Sequence, residues 1–107
     1  MLFFLRVEVK QTPGMSIQQF NEIWDREAQY AMEAIKAGAI KAYKVAGRRT
    51  VLVIIDLPSA DDLDRAIAGL PMVQEMGWGL EVVEVLPVRL YESFAEDLRQ
   101  AVSQAKR

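Results

Sequence analysis

The stretch LFFLRVEVK, residues 2–10, decides the fold. Its odd positions, Phe3, Leu5, Val7 and Val9, form one continuous apolar face. Its even positions begin apolar at Leu2 and Phe4 and turn charged at Arg6, Glu8 and Lys10. Such a strand belongs to a sheet with helices on one face. The other face is too apolar to be left wet.

Outward from this strand, Pro13-Gly14 marks a turn. Residues 16–37 read as an amphipathic helix, with Ile17, Phe20, Trp24, Ala28, Ala31 and Ile35 at helical spacing. Ser16 is placed to cap its start and Gly38 to end it. Residues 39–47 and 50–57 read as two strands joined by a tight turn near Gly47-Arg48-Arg49. The second is apolar and β-branched nearly throughout, which predicts a central strand. Ser59, with Asp62 three residues on, signals a second helix that buries Leu63, Ala66, Ile67 and Leu70 and closes at Pro71. Residues 72–79 are expected to form a loop carrying Trp78 between two glycines. Residues 80–89 are expected as a fourth strand, with Leu80, Val82, Glu84 and Leu86 on one face.

The order βαββαβ predicts an α+β ferredoxin-like domain, an antiparallel sheet carrying both helices on one face. Residues 1–89 make that domain and residues 90–107 a C-terminal helical extension. Within the extension, residues 91–106 form a helix with Phe94, Leu98, Ala101 and Ala105 on one side. That stripe needs either a neighbouring subunit or the open face of the sheet to cover it. Leu2 and Phe4 predict two copies packed sheet to sheet, as in dimeric α+β barrels, with Arg6 and Glu8 pointing into the cleft between them. A homodimer or higher homo-oligomer is therefore expected.

Composition narrows the function. At 107 residues the chain is one domain, and its net charge of −2 with scattered basic residues gives no nucleic-acid footprint. With neither Cys nor His, thiol chemistry is excluded and zinc is disfavoured. Proton chemistry is left to Glu, Asp, Lys and Tyr. The apolar start breaks at Arg6, no small-residue cleavage site follows, and no stretch approaches the ~18–20 apolar residues of a membrane span. A cytoplasmic protein acting on a small molecule, without membrane, metal or organic cofactor, is expected.

Glu27 is the strongest candidate for chemistry. It falls on the edge of the apolar stripe of the first helix, where a carboxylate must be paired, hydrogen-bonded or partly protonated. It reads as a general base, or as a helix-edge acid that reaches solvent or a strand lysine. Tyr30 can donate to a developing enolate oxygen or simply pack. Arg6, in mid-strand, can clamp a substrate carboxylate or form a cross-strand ion pair with Glu84 or Glu8. Lys44, on the opposite face from Tyr43, can hold an anion. Trp24 and Trp78 are candidate cleft walls, and Trp78 a candidate lid. Arg48 and Arg49 read as turn charges, and Asp61, Asp62 and Asp64 as acids suited to a helix start.

Five segments, in order, resemble the muconolactone delta-isomerase family: the opening MLFFLRVEV, Asp25-Arg26-Glu27-Ala28-Gln29-Tyr30, Lys44-Val45-Ala46-Gly47-Arg48, Ile55-Asp56-Leu57-Pro58-Ser59 and Ala68-Gly69-Leu70-Pro71. The similarity runs from Met1 to about Arg89. It implies a small oligomeric enzyme of aromatic catabolism that shifts a proton across a five-membered unsaturated lactone, with no metal or cofactor. By resemblance Glu27 matches an arginine–glutamate pair in the family's first helix, Arg6 its first-strand arginine and Tyr30 a tyrosine one turn on. The family's histidine–leucine–tryptophan–arginine run is Lys41-Ala42-Tyr43-Lys44 here. Its tyrosine and asparagine beyond the glycine-arginine turn become Arg49 and Val51, and its histidine–proline pair becomes Val88 at the matching position. These departures, with a longer tail, imply a paralogue acting on another small acid or cyclic ketone-like substrate. The alternatives are a cyclase-type biosynthetic enzyme and a non-catalytic binding module.

Overall fold

The computed structural model describes residues 1–106, and of Trp78 the backbone alone. Strands β1 (Leu2–Val9), β2 (Ile40–Lys44), β3 (Thr50–Asp56) and β4 (Leu80–Val88) form one sheet in the order β2-β3-β1-β4, every neighbouring pair antiparallel. Helices α1 (Ile17–Lys36), α2 (Ala60–Ala68) and α3 (Pro71–Met76) lie between the strands in sequence, and α4 (Tyr91–Ala105) follows them. This is the ferredoxin-like α+β arrangement, with α4 after its last strand.

The parity of β1 organises the core. Phe3, Leu5, Val7 and Val9 are buried, and they cluster with Phe20 and Ile23 of α1, Leu63 of α2, Met72 of α3 and Leu80 of β4. Helix α1 begins where Ser16 accepts from the Gln19 N–H while the Gln19 side chain accepts from the Ser16 N–H, a reciprocal cap. It ends at Gly38, whose φ of 76° lets the chain turn back so that Ala39 N–H reaches the Ala34 carbonyl. Ser59 caps α2 through the Asp62 N–H, with Asp61 and Asp62 in the first turn.

Three differences from the sequence reading have physical causes. Pro71 does not merely close α2; it stands at the first position of α3, where its missing N–H costs nothing. The expected loop is thus half helix, followed by a 3₁₀ turn at Gly77–Gly79. The β1–β4 register shifts by one residue at Arg6/Val7: Val7 faces Val82, whereas Arg6 faces Glu84, leaving Val83 unpaired. The bulge keeps Leu80 and Val82 on the helix side and turns Glu84 and Leu86 to the open face. Finally, β2 stops at Lys44, because Val45 N–H pairs with the Thr50 carbonyl to begin the turn at Gly47.

The open face is apolar in its middle. Phe4, Ile54 and Leu86 stand opposite one another across β3, β1 and β4, with Leu52 beside Arg6. Helix α4 buries no residue; Tyr91, Phe94, Leu98 and Val102 are all exposed. The chain measures 67 Å along its longest axis and has a radius of gyration of 17.8 Å. A compact domain of this length has about 13 Å, so α4 extends away from the body instead of covering its own sheet.

Candidate functional site

Between α1, α2 and the helix-covered face of the sheet lies a hollow of about 260 Å³. The sequence explains why it is there. Where α1 crosses the sheet its inward positions are Ala28, Ala31 and Ala34, and they look toward Ala42 of β2 and Ala66 of α2. Small side chains on all three walls leave space that larger ones would fill. Leu5, Val7, Val51 and Val53 supply the floor.

Glu27 opens onto this hollow, half-buried, one turn after Trp24. Its Oε1 accepts the Met72 N–H at 3.1 Å. That N–H belongs to the first turn of α3 and has no partner within its own helix. The next residue back, Arg26, forms a two-armed ion pair with Glu75 of α3, at 2.7 and 3.3 Å. Two consecutive side chains of α1 therefore hold α3, one at its Met72 N–H and one at Glu75. Burial among apolar groups pushes the Glu27 carboxyl above its ordinary value of 4.5; the Met72 N–H pulls it back only in part.

The other expected site residues divide into two groups. Trp24 and Tyr30 line the hollow with Glu27. Trp24 is fixed by a tilted contact with Phe20, ring centroids 5.6 Å apart, whereas Tyr30 stands at the mouth, 53% exposed. Arg6 does not join them. It has the even parity of β1, pointing away from the helices, and lies between Glu8 (3.5 Å) and Glu84 (3.9 Å). Glu8 in turn accepts from Thr50 Oγ1 at 2.8 Å. Arg6 and Glu27 occupy opposite sides of the sheet, so Arg6 is not the cation expected beside the carboxylate, and among the described residues lining the hollow there is no Lys or Arg. Lys44 also lies off the hollow; its Nζ donates to the Val45 carbonyl at 2.9 Å, because β2 ends there and the side chain folds onto its own turn. The Trp78 side chain lies outside the described residues. Arg49 has more than a turn role: its guanidinium stacks over the Phe20 ring at 4.7 Å.

Sequence reasoning missed two contributors, the Met72 N–H and the alanine lining. The first required recognising Pro71 as a helix start. The second was visible as an alanine-rich inner face of α1, which reads equally well as close helix packing.

The family model described as muconolactone delta-isomerase matches residues 1–93. The chain belongs to the muconolactone delta-isomerase family. Its fold is similar to a crystal structure of muconolactone isomerase, with a TM-score of 0.68 over 84% of this chain and 90% of that one, at 21% identity. No curated protein matches the sequence. The family match reaches only the first turn of α4, so most of that helix lies beyond it. Among the described residues, no helix is long and apolar enough to cross a membrane.

Proposed function

We propose that this protein is a cofactor-free isomerase that moves a double bond within a small unsaturated lactone, with Glu27 as the proton carrier and the helix-side hollow as the site. The observation that carries the reading is one half-buried carboxylate, its pKa raised by burial, facing an otherwise apolar hollow in a chain of the muconolactone delta-isomerase family.

The chemistry needs little more. Oε1 is held by the Met72 N–H, which orients the carboxylate and leaves the second oxygen as the one for the proton. Glu27 takes a proton from the carbon adjacent, or vinylogous, to the lactone carbonyl. The C–H electrons spread into a dienolate. The same carboxyl then returns the proton to the carbon at the other end of the conjugated system, so no atom is gained or lost. A raised pKa suits both halves, since the group must accept the proton and give it back. Tyr30, at the mouth, is the available hydroxyl donor for the developing enolate oxygen, and Trp24 walls the ring.

The reading extends to a homo-oligomer with open sheet faces packed together, in the cytoplasm, serving the breakdown of aromatic compounds. Its support is the apolar centre of the open face, the exposed stripe of α4 and the family membership. The test is turnover of a panel of five-membered unsaturated lactones, followed by ultraviolet absorbance as the double bond enters or leaves conjugation. Turnover of at least one, lost in Glu27→Gln, supports the reading; no turnover of any removes it.

A further inference from the structure

We infer that the hollow is built for an uncharged substrate, a neutral unsaturated lactone or cyclic enone, and discriminates against one bearing a carboxylate. The inference rests on the isomerase reading and specifies its substrate class.

Three observations carry it. First, apart from Glu27, the Tyr30 hydroxyl, the Trp24 indole and the Met72 thioether, every described residue lining the hollow is aliphatic. No Lys or Arg is among them. Second, the cations on the surrounding elements lie off the hollow: Lys36 of α1 pairs with Glu33, and Lys41 of β2 stands beside Ile54 on the open face of the sheet. Arg6 lies on the far face between two glutamates, Arg26 is clamped to Glu75 and Lys44 is folded onto its own turn. Arg65 of α2 pairs with Asp62, and Arg49 covers Phe20. Third, the charge of the site balances only for a neutral ligand. Ionised Glu27 and a neutral lactone carry one negative charge together. After proton transfer, neutral Glu27 and the enolate again carry one. A carboxylate on the substrate would make it two throughout, in an apolar hollow with no counter-ion among its described lining residues, where like charges are costly. The volume of about 260 Å³ lies just under the roughly 300–1,000 Å³ of sites for larger ligands, and suits one small ring.

The test compares two probes on the full-length chain: α-angelica lactone, a neutral five-membered unsaturated lactone, and muconolactone, whose side chain ends in a carboxylate. Turnover is read by ultraviolet absorbance and binding by calorimetry. The expected result is a kcat/KM, and an affinity, at least about tenfold higher for the neutral probe. Ala31→Lys, which sets an ammonium beside Glu27 one turn on, is expected to narrow that preference about tenfold or more. Ala34→Phe, which fills the hollow, is expected to abolish binding of both; Ala66→Phe fills it from α2 and serves if the first variant does not fold. Glu27-dependent turnover that favours muconolactone overturns this inference while leaving the isomerase reading standing. Binding of the neutral probe, lost in Ala34→Phe, with no turnover of it or of any lactone in the wider panel, supports the inference and removes the isomerase reading. Equal binding of both probes, or binding of neither, overturns the inference.

Discussion

The Met72 N–H donates to Glu27 Oε1 at 3.1 Å, and this bond joins α3 to α1 at the place where chemistry is proposed. It answers two needs at once. The first turn of α3 gains an acceptor for an N–H with none of its own, and a carboxylate standing among alanines gains a fixed orientation. Its net effect on Glu27 is smaller than that of burial, so the acid remains easier to protonate than an ordinary one.

That shift has a sign in both stability and rate. Folded Glu27 holds its proton more tightly than in the unfolded chain. The folded state therefore binds more protons between the ordinary value of 4.5 and the raised folded value. The stabilisation is fully present below 4.5 and is lost as pH rises through the folded pKa. Denaturant unfolding from acid to neutral pH, compared between the parent and Glu27→Gln, should show the parent losing ground across that window and a constant difference above it. The kcat/KM profile should rise with pH along a limb lying above 4.5, as the base form is populated.

Arg6 should be dispensable to the chemistry. It sits on the far face of the sheet with its side chain 41% exposed, and such ion pairs contribute about 0–1 kcal/mol. Arg6→Ala is expected to leave turnover within about threefold and to shift the unfolding free energy by no more than that amount. A loss of turnover of a hundredfold would place Arg6 in the site.

Met72 is fully buried, and its side chain lines the hollow that its N–H helps to define. Met72→Ala should cost about 2–5 kcal/mol in chemical denaturation, since a buried cavity replaces the thioether. A cost under 1 kcal/mol would mean that α3 is held chiefly by the Arg26–Glu75 pair.

Much of this arrangement was legible in LFFLRVEVK and in the helix after it. The odd-position burial of β1, the caps at Ser16 and Ser59 and the turn at Gly38 follow from local chemistry that each residue carries itself. Glu27 was legible because helical periodicity puts it against the core. The same parity, followed through, sets Arg6 on the opposite side, because odd positions of β1 face the helices and 6 is even. Helix α3 was hidden by Pro71, which suits a helix start and a helix end equally. The bulge at Val83 was hidden because alternation in LEVVEV permits two phases, and only pairing with β1 chooses where one gives way to the other.

The open face predicts assembly. Leu52, half-buried and opposite Arg6, lies near the middle of an apolar surface that a second copy is proposed to cover. Leu52→Asp should lower the mass measured by light scattering after size exclusion, to that of one chain, while the helix-side hollow is left intact. An unchanged mass would show that the sheet faces do not meet. Removal of residues 91–107 separates the part played by α4: if its exposed stripe is also an assembly surface, the truncated chain too should form a smaller species.

The central claim is that the Glu27 carboxylate, in the hollow between helices and sheet, carries the proton. Its most direct test is Glu27→Gln, which keeps an oxygen for the Met72 N–H and removes only the ionisable group. The account predicts a fall in turnover of about 10²–10⁴-fold on whichever unsaturated lactone the parent isomerises, with the thermal unfolding midpoint nearly unchanged. Full turnover by a folded Glu27→Gln variant would contradict it.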